Sequence, residues 1–161
     1  MYELKTETPQ DWHEVEALFD LCFAPGREAL SSYRLRDGVP PVADLCQVAR
    51  NADQGLAGAI RYWPVSISGA YALLLGPVAV HPTRQGEGLA ATLIRDTLEQ
   101  ARARGWHRVM LVGDAPYYAR FGFAPLVGVR MPPPTNPDRV LGQSLVEGAW
   151  SGISGDVVPA P

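Results

Sequence analysis

Apolar and polar positions along the chain change period several times, and each change marks an element. Residues 2–6 (YELKT) alternate as a half-buried strand does. Thr8-Pro9 then signals a helix start, with proline near the first helical position. Val15, Leu18, Phe19, Cys22 and Phe23 recur at helical spacing until Pro25-Gly26 stops them. Ala29, Leu30, Tyr33 and Leu35 predict a second helix over 27–36. Strands are expected at 43–50 and 56–67, joined by the glycine-containing turn Asn51–Gly55.

An apolar run from Ala72 to Val80, with only Gly76 and Pro77 inside it, ends a fourth strand over 71–80. After a polar turn, Leu89, Leu93, Ile94, Leu98 and Ala101 form one stripe of a long helix over Glu87–Arg104, capped by Gly105. A fifth strand follows at 107–113, then a short helix, then a sixth strand near 123–130. Pro132-Pro133-Pro134 breaks regular structure. A last strand is expected over 139–147, and SGISGDVVPAP reads as an irregular tail. No repeat and no second domain emerge. The order predicts one α+β domain in three layers, residues 1–161, with its core in 1–130 and a Pro-rich C-terminal extension over 131–161.

The strand, glycine turn and helix around residues 72–91 carry the first chemical signal. That arrangement turns several free backbone N–H groups toward one anion. Two familiar phosphate motifs are absent. There is no G-x-x-x-x-G-K-[ST], and no G-x-G-x-x-G with an acidic residue some 20 positions on. What stands there is V-A-V-H-P followed by Q-x-x-G-x-A, with Gln85, Gly88 and Ala90 at its fixed positions. This resembles the acyl-CoA pyrophosphate loop of the GNAT superfamily of N-acetyltransferases.

About 25 residues on stands G-D-x-x-Y-Y-x-R-F-G-F, from Gly113 to Phe123. It is similar to the tyrosine-bearing segment after the fifth strand of GNAT enzymes, and in its longer form to a YhbS-like branch of small acetyltransferases. The resemblance covers roughly residues 1–130. It implies a mixed, mostly antiparallel central sheet splayed between strands four and five. Gly76-Pro77 suits that splay, since proline sits at bulges or edges, and a bulge frees backbone groups for a pantetheine arm.

The resemblance also implies acetyl-CoA as co-substrate, without a metal, and an acetyl group passed directly to a primary amine of a small molecule or peptide. It assigns the pyrophosphate to Gln85, Gly86, Glu87, Gly88, Leu89 and Ala90, with Arg84 as a nearby cation and the Glu87 side chain turned away. Backbone groups of Val78, Ala79 and Val80 are the expected pantetheine and thioester contacts. Tyr118 is the expected general acid, because a phenol of pKa about 10 matches an alkyl thiol. Tyr117 is expected to pack. The base stays open between Asp114, Glu28, His81 and water, since strand four carries Leu73-Leu74-Leu75 where a carboxylate could stand. Arg120 is expected to hold the tyrosine helix through Asp114, or else to meet a CoA phosphate. A silent acyl-CoA sensor or interaction module is the alternative.

Composition narrows the partners. The chain has 161 residues, 47% apolar and 19% charged, with a net charge of −3. Lys5 is its only lysine, so a basic nucleic-acid face, such as transfer to an aminoacyl-tRNA needs, is not expected. No apolar run reaches the ~20 residues of a membrane span, and the N-terminus lacks a secretory pattern. A cytoplasmic enzyme able to form a homodimer is the expectation. Cys22 and Cys46 fit no metal or redox spacing and read as reduced buried thiols. Residues 1–57 hold ten acids against five bases, which would suit an amine near the N-terminal part. Trp12, Phe23, Tyr33, Tyr62 and Trp63 could line the acceptor pocket.

Overall fold

The computed structural model describes residues 1–23 and 31–161. Ala29, Leu30 and the candidate base Glu28 therefore lie outside the described residues, and so does the Pro25-Gly26 stop. The predicted second helix is seen only in its later part, as α2 (Ser31–Arg34). No helix among the described residues is long and apolar enough to cross a membrane.

The strands are β1 (Glu3–Thr6), β2 (Gln47–Arg50), β3 (Leu56–Ile67), β4 (Ala70–Val80), β5 (Arg108–Val112), β6 (Ala124–Pro125), β7 (Val129–Arg130), β8 (Val140–Ser144) and β9 (Gly155–Pro159). They form one sheet in the order β1-β2-β3-β4-β5-β8-β6, with β9 against β3 and β7. Pairing is antiparallel except for β4 with β5 and β7 with β9. The expected mixed, mostly antiparallel sheet is present.

Period-two side chains divide the core between two faces. On one face, α3 (Leu89–Ala103) lays Leu89, Leu93, Ile94, Leu98 and Ala101 over Ile60, Tyr62, Leu73, Leu75, Val109 and Leu111. On the other, α1 (Trp12–Cys22) packs Val15, Leu18 and Phe19 on Val48, Ala59 and Ala79. The α3 stripe read from the sequence is buried throughout, whereas in the α1 stripe Val15, Leu18 and Phe19 are buried, Cys22 is half-buried and Phe23 is exposed. Strand alternation sends Ile60 and Ala59 to opposite helices. α3 starts at Leu89, two residues later than expected, because Gly86 and Gly88 both take positive φ and hold the turn open.

The C-terminal part differs most from expectation. The single sixth strand predicted at 123–130 is two short pieces, β6 on β8 and β7 on β9. The tail read as irregular contains β9, which pairs antiparallel with β3 through Val65↔Pro159 to Ile67↔Val157. Val129, Met131, Val140 and Val157 then join Trp63, Val65, Ile67, Leu74 and Met110 in a second core on the α1 face. The reason is the length of β3: β2 covers only its first half, and β9 pairs with the second half.

Two buried arginines tie α1 to the sheet. Arg61, with a side chain 3% exposed, forks onto Glu7 at 2.9 and 3.0 Å and also meets Glu16. The Trp12 ring covers its guanidinium at 3.9 Å. Arg50 holds Asp11 at 2.7 Å, Glu14 at 2.8 Å and the Gln54 carbonyl at 2.8 Å. These two arginines engage Glu7, Asp11, Glu14 and Glu16, four of the ten N-terminal acids, which weakens the expectation that their surplus receives an amine. Replacing a buried arginine leaves its carboxylates uncompensated. Arg61→Met should lower the unfolding free energy by about 3–5 kcal/mol in urea titrations. Arg130→Met, which breaks the exposed pair with Asp156, should cost less than about 1 kcal/mol.

Candidate active site

The site grows from a failure of two strands to stay paired. β4 and β5 run parallel only at Leu73↔Val109 and Leu74↔Met110, and then separate. On its other edge β4 follows β3, but the register jumps from Ile60↔Val78 to Tyr62↔Leu75, leaving Gly76-Pro77 as a bulge. Gly76 has φ +134, and Pro77 has no N–H to place in a ladder. The gap is a cleft of about 170 Å³ whose walls include Leu75, Gly76, Val78, Leu111 and Tyr118.

Hydrogen-bond phase decides which backbone groups face that gap. The His81 N–H donates to the Ala57 carbonyl at 2.8 Å, so Val80 and Gly58 form a non-hydrogen-bonded pair. By alternation, Val78 and Val80 turn their N–H and C=O groups away from β3. The Val80 carbonyl accordingly accepts from Cys22 Sγ and Gln85 Nε2, both at 3.4 Å. Ala79 differs from its two neighbours: its backbone groups face β3, and its side chain is buried under α1. Of the three residues expected at the pantetheine, only Val78 and Val80 can present backbone there.

Past Val80 the chain makes a 3₁₀ turn (Pro82–Arg84), with the His81 ring accepting from Thr83 N at 3.2 Å. That capping position holds His81 in the turn. Gly86 at φ +87 and Gly88 at φ +78 then shape the entry to α3, a conformation that costs other residues roughly 1–2 kcal/mol. Among the described residues, no backbone hydrogen bond outside helices and strands has its donor between Gln85 and Ala91. The first N–H taken up is that of Thr92, by the Gly88 carbonyl at 3.1 Å. Gly86, Glu87, Gly88, Leu89 and Ala90 thus lie in one row of unmatched donors at a helix N-terminus. Leu89 also anchors the row, its side chain being buried in the core. Arg84 is half-buried with its guanidinium 6.0 Å from the Tyr2 ring. Glu87 accepts a hydrogen bond from the Tyr2 hydroxyl. Tyr2 itself carries no sequence signal, since this contact links positions far apart in the chain.

At the other end of the cleft stands α4 (Ala115–Tyr118), continued by a 3₁₀ turn to Phe121. Tyr118 is half-buried, its ring set against Tyr117 at 5.0 Å, Phe123 at 6.0 Å and Phe121 at 6.1 Å. Burial pushes its phenol up to about 12, with Tyr117 and Asp114 adding to the rise and Arg139 opposing it. Asp114 is exposed and caps α4, accepting from Tyr117 N at 3.1 Å. It is not among the cleft-lining residues. Arg120 does hold the tyrosine turn, but through Tyr117: Nε donates to the Tyr117 carbonyl at 2.9 Å and the guanidinium lies 4.5 Å over the ring. Among the aromatic residues suggested for the acceptor pocket, Phe23 and Tyr33 line the cleft. Trp63 is buried beside it, Tyr62 is buried with its hydroxyl 2.7 Å from Thr97, and Trp12 covers Arg61.

Gly113, the first residue of the tyrosine-bearing motif, has a steric role. A Cβ there would stand 2.6 Å from Cε2 of Tyr118, so only glycine lets the tyrosine ring lie back against the end of β5. Gly113 is a positioning residue for Tyr118.

A strand-turn-helix anion cradle, a splayed β4/β5 pair and a tyrosine beyond β5 define a particular class of transferase fold. Residues 3–126 match the family described as the acetyltransferase (GNAT) domain, and the chain belongs to that family. It is 31% identical over 123 residues to the uncharacterized N-acetyltransferase YhbS of Escherichia coli (strain K12), covering 74% of this chain and 72% of that protein. The crystal structure of E. coli YhbS in complex with CoA superposes with a TM-score of 0.85 at 27% identity, covering 99% of this chain and 89% of that one. A GNAT family acetyltransferase of Brucella melitensis, in complex with acetyl-CoA, gives a TM-score of 0.76 at 29% identity, over 99% and 96% of the two chains.

Gly113→Ala should move the Tyr118 ring without altering the donor row at Gly86–Ala90. The expected result is a loss of turnover of at least tenfold with little change in acetyl-CoA affinity, measured by steady-state kinetics beside calorimetric titration.

Proposed function

We propose that this chain transfers an acetyl group from acetyl-CoA to a primary amine of a small molecule or peptide. The observation that carries the reading is the cleft itself, with backbone donors along one side, an anion cradle at one end and Tyr118 at the other. The residues fit the co-substrate: Gly86–Ala90 would receive the pyrophosphate, with Arg84 as a nearby cation, and Val78 and Val80 would pair with the pantetheine arm. CoA and acetyl-CoA in the E. coli and Brucella structures support the choice of co-substrate.

Acetyl-CoA supplies a thioester: the amine nitrogen bonds to the carbonyl carbon as the C–S bond breaks, and sulfur leaves with a proton. Tyr118 is placed to give that proton. The amine must arrive neutral, and the proton it loses on bonding passes to the tyrosinate, so the phenol is restored and the balance closes. Burial disfavours the phenolate and a departing thiolate alike, keeping their proton affinities matched. In this scheme Asp114 keeps α4 in place as its cap and does not touch the substrate.

Titration with acetyl-CoA tests the cradle. Wild-type protein should bind in the micromolar range, and Gly88→Val, which puts a β-branched residue at positive φ, should weaken binding at least tenfold. Failure of the folded wild type to bind would overturn the reading. Tyr118→Phe should bind normally and lose about 10²-fold or more in kcat. A sensor without turnover would instead bind acetyl-CoA and yield no acetylated amine. Because the phenol is held protonated by burial, kcat should not fall between about pH 8 and about pH 10.5, whereas an exposed phenol would titrate near 10. A decline centred near 10 would exclude Tyr118 as the buried acid.

A further inference from the structure

The far wall of the cleft presents a strand edge that the reaction scheme does not use. The Gly113 N–H donates to the Arg139 carbonyl at 2.9 Å. By alternation Leu111 also turns its backbone groups toward β8, whereas Met110 and Val112 turn theirs toward β4. In that phase the last rung between β4 and β5, at Leu74↔Met110, joins the Leu75 N–H to the Met110 carbonyl. The next rung would carry the Val112 N–H to the Leu75 carbonyl, and it is not formed. The one after would bring the Val112 carbonyl to an N–H of Pro77, which has none. Among the described residues, no backbone hydrogen bond outside the ladders reaches either group of Val112.

Val112 is half-buried and lines the same cleft as Val78 and Tyr118. By register it stands across from Leu75–Pro77, just before the part of β4 assigned to the pantetheine. A ligand met by Val112 would therefore lie at the reacting end of that arm. One donor and one acceptor on a single strand residue match a partner residue that carries both on its own backbone. An α-aminoacyl group has this form. Its amine N–H donates to the Val112 carbonyl, and its own carbonyl oxygen accepts from the Val112 N–H. Held so, the nitrogen keeps its lone pair free for the thioester. The α-amino group of a peptide also titrates at about 7.7–8.0, against about 10.4 for a lysine side chain, so it is far more often neutral near pH 8. Phe23, Leu74 and Leu111 give its side chain an apolar wall. We infer that the acceptor is the N-terminal residue of a peptide, laid in extended form along the open edge of β5 and paired with the N–H and C=O of Val112. Val112 is then a specificity-determining residue through its main chain. The inference rests on the acetyltransferase reading for its chemistry and on the unfinished ladder for its selectivity.

The test compares alanyl-alanine amide with sec-butylamine, which lacks the carbonyl, with β-alanyl-alanine amide, which moves it one carbon away, and with Nα-acetyllysine amide. CoA release at about pH 8 is the readout, counted per neutral amine. Wild-type kcat/KM should favour alanyl-alanine amide at least tenfold over each of the others. Val112→Pro removes an N–H on an open edge, where proline is tolerated. It should raise KM for the dipeptide amide at least tenfold and keep acetyl-CoA affinity within threefold. Should that variant not fold, wild-type protein loaded with CoA decides: N-acetylalanyl-alanine amide should slow hydrogen exchange at the Val112 N–H at least tenfold, and N-acetyl-sec-butylamine should not. Equal or better use of sec-butylamine, the β-alanyl peptide or the lysine amine would overturn the inference and leave the transfer reading intact. So would a dipeptide KM unchanged in folded Val112→Pro, or exchange at Val112 that neither product slows. Should no amine be acetylated, the transfer reading falls. Selective slowing at Val112 would then sustain the peptide site, and its absence would overturn that too.

Discussion

The structure depends on one incomplete ladder. A parallel pair that continued from Leu73 and Leu74 to the ends of β4 and β5 would bury every backbone group of both strands and leave no opening. The bulge at Gly76-Pro77 shifts β4 against β3, and past Met110 β5 keeps its pairing with β8 on the far edge while its edge toward β4 is open. Two N–H and C=O pairs, at Val78 and Val80, are left without a strand partner. Each costs stability when buried unmatched, so the gap suits a ligand with its own amides. The sheet around the gap must then be firm, and the core on both of its faces supplies that firmness.

That firmness explains the electrostatics of the N-terminal half. α1 borders the cleft through Phe23, the residue that caps its C-terminus, and it is fixed by Arg50 and Arg61 reaching up from β2 and β3. Such paired charges gain little net stability over apolar packing, but they define one position for the helix. A helix held by hydrocarbon alone could slide by a residue; one clamped to a forked guanidinium cannot do so without stranding a charge.

Much of the fold was legible in the sequence because it rests on local pattern. The stripe from Leu89 to Ala101, the apolar run before His81 and the turn at Asn51–Gly55 each contain their own periodicity or turn chemistry. The donor row was legible too, since its glycines stand in a fixed order after a strand. What escaped was non-local. β9 looks irregular because Gly, Ser and Pro surround it, and it becomes a strand only because the second half of β3 offers an edge. Ala79 was grouped with Val78 and Val80, yet the pairing phase that separates them is set by His81 and Ala57. Asp114 carried the right chemistry for a base, but an Asp-Ala-Pro start also makes a helix cap, and the structure uses it so. Gly113 shows its purpose only when the Tyr118 ring lies upon it.

The row of N–H groups from Gly86 to Ala90 has a consequence for how such a site tolerates change. Its donors belong to the main chain, so no replacement other than proline deletes one. Gln85 and Glu87 can be exchanged without removing a single donor, while a change at Gly86 or Gly88 bends the whole row at once. Tolerance at this site therefore differs by position: a scan that trims side chains to alanine would pass over Glu87 in silence and report the cradle at its two glycine hinges and at Leu89, whose side chain holds the row to the core.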